Sequence, residues 1–457
     1  MKNPIDFSEF PQISDKAWKQ QIQADLKGGD YNELLTWTSP EGIVVKPFYS
    51  AEDTPVSDKE PTDFQTREWR IGYALDSRSQ KSVSLLENYL ENGVEALWVE
   101  VYGESVENLS RLAALDTPQY WDTFALDQKF ADVLKNNATS TTHILADPLH
   151  TLAASGNWEA DEKTDYEIVA GLAGQEGVKV SLSVHVNLYQ NAGANRIQEL
   201  AYALAHGCEY LEKEREDNRL KPLVEEPVFL ISTGSEYFFE IAKIRALRRL
   251  WELLAQAYGF SGRCKIIASP TLRNKTLYDY NTNMLRTTTE SMAGILGGAD
   301  LICNLPYDAL YHNENDFAAR IARNQLLLLK HESYFSSVRN PADGSYYIES
   351  LTDQLGQKAL ELFKTIEKEG GFLSQLQSHT IQKKISESAE KEQKAFDRGE
   401  RVLVGTNKYS NTDDRMLKVL EKDPFRAKRR VQTRIVPILA KRLSEANERK
   451  RLEDEQK

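Results

Sequence analysis

The chain has 457 residues, 40% of them hydrophobic and 28% charged, with a formal net charge of -12. These values describe a globular protein long enough for one large α/β domain with extensions, or for two to three ordinary domains. They argue against a general binder of nucleic acid or anionic membrane, which needs a basic face; the basic groups at Arg245, Arg248 and Arg249 and at Lys428 to Arg430 sit among acidic neighbours.

At the N-terminus, MKNPIDFSEF lacks the basic flank and apolar stretch of a signal peptide. No apolar run approaches the roughly 20 residues of a membrane span, so a cytoplasmic protein is expected. Ser14 to Lys27 reads as one amphipathic helix, capped by Ser14 and stopped at Gly28-Gly29. Pro40 to Glu60 is rich in Pro, Asp, Glu and Ser and reads as an extended arm that needs another surface to lie on. From residue 69 the chain alternates strands and helices. Strands are expected at WRIGYAL (69–75), ALWVEVY (96–102), THILADPL (142–149), VKVSLSVHV (178–186), PVFLIST (227–233), CKIIASP (264–270) and ADLICNLP (299–306), with an eighth around YFSSV (334–338). The clearest helix is GSEYFFEIAKIRALRRLWELLAQAYG (234–259). Apolar strands joined by helices imply a parallel sheet covered on both sides, and about eight such units favour a closed (β/α)8 barrel. After Glu349 the pattern is helical to about Arg401; VLVGTNKY (402–409) follows. Ala440 to Lys457 is so polar that a solvated or frayed helix is expected. The division is an N-terminal arm (1–60), a barrel domain (61–409) and a charged helical tail (410–457).

Chemical motifs are sparse. There is no Walker loop, no G-x-G-x-x-G and no H-E-x-x-H. Cys208, Cys264 and Cys303 lie far apart and form no C-x-x-C pair, which disfavours a zinc site or disulfide framework. None of the seven histidines has metal-ligand spacing to another, so no metal site is expected. Gly297-Gly298 reads as a helix C-cap. His185 alternates with apolar residues inside a strand and reads as a hydrogen-bonded barrel-interior group, while His150 is the best remaining acid–base candidate. The helix arginines, Arg245 and Arg286 among them, suit either phosphates held bidentately or carboxylates between helices. The strand SLSVHV (181–186) runs into NLYQNAGANR (187–196), which places no acid, base or nucleophile at a strand end where barrel enzymes keep them.

Several stretches together resemble the methylmalonyl-CoA mutase family of adenosylcobalamin-dependent isomerases: FPQISDKAWKQQIQADLKG with YNELLTWTSPEGIVVKPFYSAED (10–53), EIAKIRALRRLW (240–251), NTNMLRTTTESMAGILGGAD (281–300), NDFAARIARN (315–324), NPADGSYYIE (340–349) and VGTNKY (404–409). The resemblance implies a TIM barrel threaded by the pantetheine chain of a CoA substrate, followed by a flavodoxin-like cobalamin-binding domain. It also exposes departures. Where catalytic members read Gly-Tyr-His-x-x-Glu-Ala-Gly-Ala, alignment on Ala192-Gly193-Ala194 puts Asn187 at the tyrosine, Leu188 at the histidine and Asn191 at the glutamate. Ile267 and Cys303 fall at two further histidines, and FQTREW (64–69) leaves no room for the substrate-carboxylate loop before Trp69. An aliphatic side chain cannot donate to a substrate carbonyl, so that stabilisation is lost. The cobalt-ligating Asp-x-His-x-x-Gly signature occurs nowhere, and the flavodoxin-like domain is expected to be absent. The resemblance thus implies the catalytically silent small subunit of a heterodimeric mutase. Such a subunit binds no cofactor itself and stabilises a large catalytic subunit that carries adenosylcobalamin. Arg245 and Arg286 are candidates for binding CoA, and Trp37, Pro47, Phe48 and Tyr49 of the arm for contacting the partner. Two alternatives are an enzyme with changed chemistry on CoA esters, using His150, Tyr189 and Arg245, and a regulatory barrel that senses acyl-CoA.

Overall fold

The computed structural model describes residue 9 and residues 13–53, 68–78, 83–102, 106–124, 126–173, 179–338, 340–425 and 432–457. The basic group at 428–430 and residues 64–67 lie outside them. Eight parallel strands close into a barrel: β1 (Arg70–Asp76), β2 (Ala96–Val101), β3 (Gln119–Thr123), β4 (Thr142–Ala146), β5 (Lys179–His185), β6 (Val228–Thr233), β7 (Lys265–Pro270) and β8 (Leu301–Cys303). Each pairs with its neighbours in sequence order, and β8 closes on β1 with Leu301 opposite Arg70 and Cys303 opposite Gly72.

Seven of the expected strands form; the eighth corrects the reading. YFSSV is not a strand: it follows a π-helical turn, Leu328–Glu332, and begins at Tyr334 with φ of 55°. The missing stave is β3, QYWDT, whose five residues are all buried. Its polar members are satisfied inside. Gln119 donates to the Leu112 and Leu115 carbonyls and accepts from Trp121 Nε1, while Asp122 accepts from Trp98 Nε1 at 3.2 Å. Buried polar groups with such partners break the apolar run by which a strand is read.

Alternation along each strand divides the core in two. Outward residues such as Leu97, Val99, Trp121, Leu182 and Val184 meet the helices in the large outer core. Inward residues Ala96, Trp98, Tyr120, Leu145, Val228, Leu230, Ile267, Leu301 and Cys303 form a separate cluster that plugs the barrel axis. Gly72 belongs to this packing. A Cβ there would clash with Cys303 Sγ and stand 3.0 Å from Leu301.

The helix capped by Ser14 spans Asp15–Asp25, and the 234–259 pattern gives Tyr237–Ala257. Gly298, at φ 90°, caps Thr282–Gly297 as read. The arm finds its surface on its own barrel. A short hairpin pairs Trp37 with Val45; Ile43 is buried; Glu41 bonds Arg196 Nη1 at 2.8 Å. The tail is a second correction. It forms a helix, Glu445–Glu455, but an anchored one, because Ser444, Glu448 and Leu452 are buried. On the way there, Ile438, Lys441 and Leu443 donate backbone hydrogen bonds to Ala153, Asn191 and Arg273, crossing the segments that follow β4, β5 and β7. Among the described residues no helix is long and apolar enough to cross a membrane.

Candidate functional site

The carboxyl ends of β2 to β5 bring together four groups far apart in sequence: Glu100, Asp122, Asp147 and His185. Asp147 follows β4 directly and is the N-cap of helix Pro148–Ser155, its Oδ1 accepting from the His150 backbone N–H at 2.7 Å. An Asp-Pro step after a strand suits this, since Pro at the first helical position needs no N–H acceptor. The same Oδ1 accepts from His206 Nε2 at 2.9 Å and from the Tyr210 hydroxyl. Its Oδ2 takes the backbone N–H of His185 at 3.1 Å and its Nδ1 at 2.7 Å. On the other side, His185 Nε2 lies 2.9 and 3.0 Å from the two oxygens of Asp122.

An imidazole with carboxylates at both nitrogens must carry both protons. Burial alone would lower His185, but Asp122 and Asp147 outweigh it and push its pKa up to about 10. In turn, although burial opposes it, His206 and His185 hold Asp147 well below the usual carboxylate range. His185 is therefore a fixed cation clamped between two anions. With both N–H groups engaged it is a poor proton donor to any ligand, and the barrel-interior reading is the one the geometry favours.

His150 lies stacked on His185, ring centroids 3.9 Å apart. Ligand atoms of Asp147, His150 and His185 lie within 4.8 Å of one another, close enough to surround a metal ion. Spacing along the sequence did not reveal this grouping, which arises because β4 and β5 are neighbours. A metal there would have to displace the bonds that already hold His185 to its carboxylates.

Above the axial plug the barrel opens into a cavity of about 370 Å³, walled by Asp76, Trp98, Glu100, Asn187, Asn191 and Ser232 among others. Glu100 is the cavity group poised to titrate near neutrality. Burial, followed by the charges of Asp122 and Asp76, pushes it up to about 7. A larger cleft of about 840 Å³ opens beside it, between the arm, the 193–196 and 234–236 turns and helix Thr380–Asp397. Its floor is a closed ion-pair network in which Arg196 meets Glu41, Glu236 and Glu240.

The other sequence candidates lie away from the mouth. Arg245 is buried between helices, bonded to Asn340 at 2.9 Å and paired with Asp343 and Glu349. Arg286 donates to Thr276, Asn283 and the Val404 carbonyl. Both guanidinium groups thus hold elements together. On the arm, Trp37 packs edge-on against Phe239 at 5.8 Å and Tyr49 against Tyr347 at 5.0 Å; Phe48 meets Trp18, and Pro47 is exposed.

The family model for methylmalonyl-CoA mutase matches residues 132–456. The chain belongs to the methylmalonyl-CoA mutase family. It is 34% identical to the methylmalonyl-CoA mutase small subunit of Porphyromonas gingivalis over 449 residues, covering 89% of this chain and 71% of that one. It is 29% identical to the small subunit of Streptomyces virginiae, covering 88% and 71%. The methylmalonyl-CoA mutase of Rhizobium meliloti is 27% identical, with 89% of this chain and 65% of that one covered.

The residues aligned with the histidines of catalytic mutase family members do not all meet. Ile267 and Cys303 share the axial plug, and Asn187 lines the cavity. Leu188 instead packs into the outer core. Leu188, Ile267 and Cys303 therefore do not converge at the strand ends. Residues Val186–Ala192 are a helix, so consecutive side chains point about 100° apart; Asn187 and Asn191, one turn apart, line the mouth while Leu188 does not. Gly193, at φ 104° and tight against Ala389, ends that helix.

Sequence reasoning missed Glu100, Asp122, Asp147 and His206. Two signals were present: a lone acid near the end of the apolar strand ALWVEVY, and the Asp-Pro step that ends THILADP.

Proposed function

We propose that this chain is the catalytically silent small subunit of a heterodimeric methylmalonyl-CoA mutase, stabilising a large subunit that carries adenosylcobalamin and interconverts methylmalonyl-CoA and succinyl-CoA. One observation carries the reading: the barrel axis is filled by Trp98, Tyr120, Leu145, Leu230 and Ile267. A pantetheine chain could enter only by displacing side chains packed at interior density. The mouth histidines support the same reading, because His185 and His206 are committed to Asp122 and Asp147 rather than presented to a corrin. No step through the cofactor is assigned to this chain.

The purified chain, supplied with saturating adenosylcobalamin and methylmalonyl-CoA, should form no succinyl-CoA, whereas mixing with a large subunit should give a heterodimer with activity. Restoring histidine alone by Leu188→His should not rescue turnover, since that side chain faces the outer core. Cofactor-dependent isomerisation by the pure chain would overturn the assignment.

A further inference from the structure

The cavity at the barrel mouth has nitrogen donors on its wall as well as acids: Arg323 of helix Asp316–Leu327, Lys422 and His312 all line it. Among the described residues Arg323 has no hydrogen bond and no ion pair. Its Nε is buried without a partner, and its guanidinium faces the Tyr89 ring at 5.6 Å. Lys422, at the exposed rim, is fixed beside His312 by its backbone N–H, which donates to the Tyr311 carbonyl at 3.1 Å. Asp308, Glu314 and Glu421 act on its ammonium, but among the described residues none comes within ion-pair distance. His312 is oriented by Asp308, 3.0 Å from its Nδ1, and no described group bonds its Nε2. The acids of the same wall, by contrast, are already supplied with donors. Asp76 is paired with Arg78; Asp308 also accepts from Asn315 Nδ2 at 2.8 Å; Glu314 accepts from the Tyr73 hydroxyl. Glu100 is pushed up to about 7 by burial and by Asp122 and Asp76, so it is only partly charged at neutral pH.

Orphaned buried polar atoms are rare, and a guanidinium nitrogen without an acceptor calls for an occupant that brings one. What this wall lacks is an anion. A guanidinium fork spans two oxygens of an oxyanion, an ammonium is a point donor to a third, and an imidazole N–H adds another. Such a set exceeds what the two oxygens of a carboxylate need and suits a tetrahedral phosphate. We propose that the barrel mouth binds a phosphate group, as the free ion or on a small monoester, through Arg323 and Lys422 with His312 as a further donor. The cavity of about 370 Å³ leaves room for the rest of an ester. Asn187 Oδ1, buried on the same cavity without a hydrogen-bond partner, would accept from a hydroxyl of that ester. No pantetheine path along the filled axis is needed, so the proposal does not depend on whether the chain works beside a catalytic subunit.

Calorimetric titration of the whole chain with inorganic phosphate and with glycerol 3-phosphate tests this, with glycerol and propionate as uncharged and carboxylate controls. Sodium chloride at about 0.15 M screens unspecific attraction to surface cations. Both phosphates should bind and both controls should not. Tighter binding of glycerol 3-phosphate would mark a phosphorylated metabolite as the ligand and equal affinity the free ion; either result supports the site. Arg323→Gln and Lys422→Met should each weaken binding about tenfold or more, the loss of one charged hydrogen bond. Neither side chain holds the fold by a hydrogen bond among the described residues, and circular dichroism should confirm that both variants are folded. No heat from either phosphate, equal binding of propionate, or unchanged affinity in either variant overturns the proposal.

Discussion

Asp147 shows how much one carboxylate can organise. It caps a helix, fixes the orientation of His185 through two donors and gathers His206 and Tyr210. Such a buried network is costly to break from one side, because the partner that remains is left charged and dry. Asp147→Asn should therefore lower unfolding stability by about 3–5 kcal/mol, read from the urea midpoint. His185 gives the pH signature. Its folded pKa of about 10 lies above the ordinary 6.5, so its stabilising contribution is complete below pH 6.5 and is lost as pH rises through 10. Subtracting the stability of His185→Gln from that of the native chain should give a difference that shrinks between pH 7 and pH 10. A constant difference would mean that the imidazole is neutral and the clamp is not ionic.

The arm and the tail are the elements whose sequence least resembles a core, and both are fastened by buried charge. In the tail, Glu448 accepts from the Leu277 N–H at 2.8 Å, the Ser444 hydroxyl at 2.7 Å and Arg442 Nη1 at 2.6 Å. Glu448→Ala would strand Arg442 and an amide N–H in the interior, a loss of about 3 kcal/mol. Limited proteolysis should then release residues 432–457 while the barrel stays resistant; an unchanged digestion pattern would show that Ile435 and Ile438 hold the tail unaided. The arm carries the partner-contact proposal. Trp37 and Val44 remain about half exposed even though the arm lies on its own barrel. Deleting residues 1–55 should leave cooperative unfolding of the barrel intact and weaken co-purification with a large subunit. Undiminished co-purification would assign the arm to its own barrel alone.

At the scale of the molecule, the barrel and seven of its strands were legible because parallel strands buried on both faces leave continuous apolar runs. The β3 strand was hidden by Gln119 and Asp122, polar residues whose hydrogen-bond partners only the folded chain brings to them. The candidate site was hidden for the same reason. Glu100, Asp122, Asp147 and His185 stand at the ends of four different strands, and no linear spacing encodes their meeting at one end of a closed sheet. Likewise the tail reads as solvated because its apolar content is low, whereas Glu448 and Arg442 are buried by pairing. Sequence pattern reports where hydrocarbon is hidden; it is nearly silent about hidden charge.

The seam of the barrel has a consequence for how the protein is made. The ring is closed by its shortest strand, three residues long, which must zip onto the first strand of the barrel after all the intervening staves have been laid down. While the ribosome is still producing the chain, β1 has only β2 beside it, and its other margin of unpaired N–H and C=O groups faces solvent. Only when Leu301 to Cys303 emerge can that margin be covered, so closure is a late event with a large loop to bring together. The nascent chain is thus open along one side for most of its synthesis. It is then that it is most exposed to mispairing with a second nascent chain.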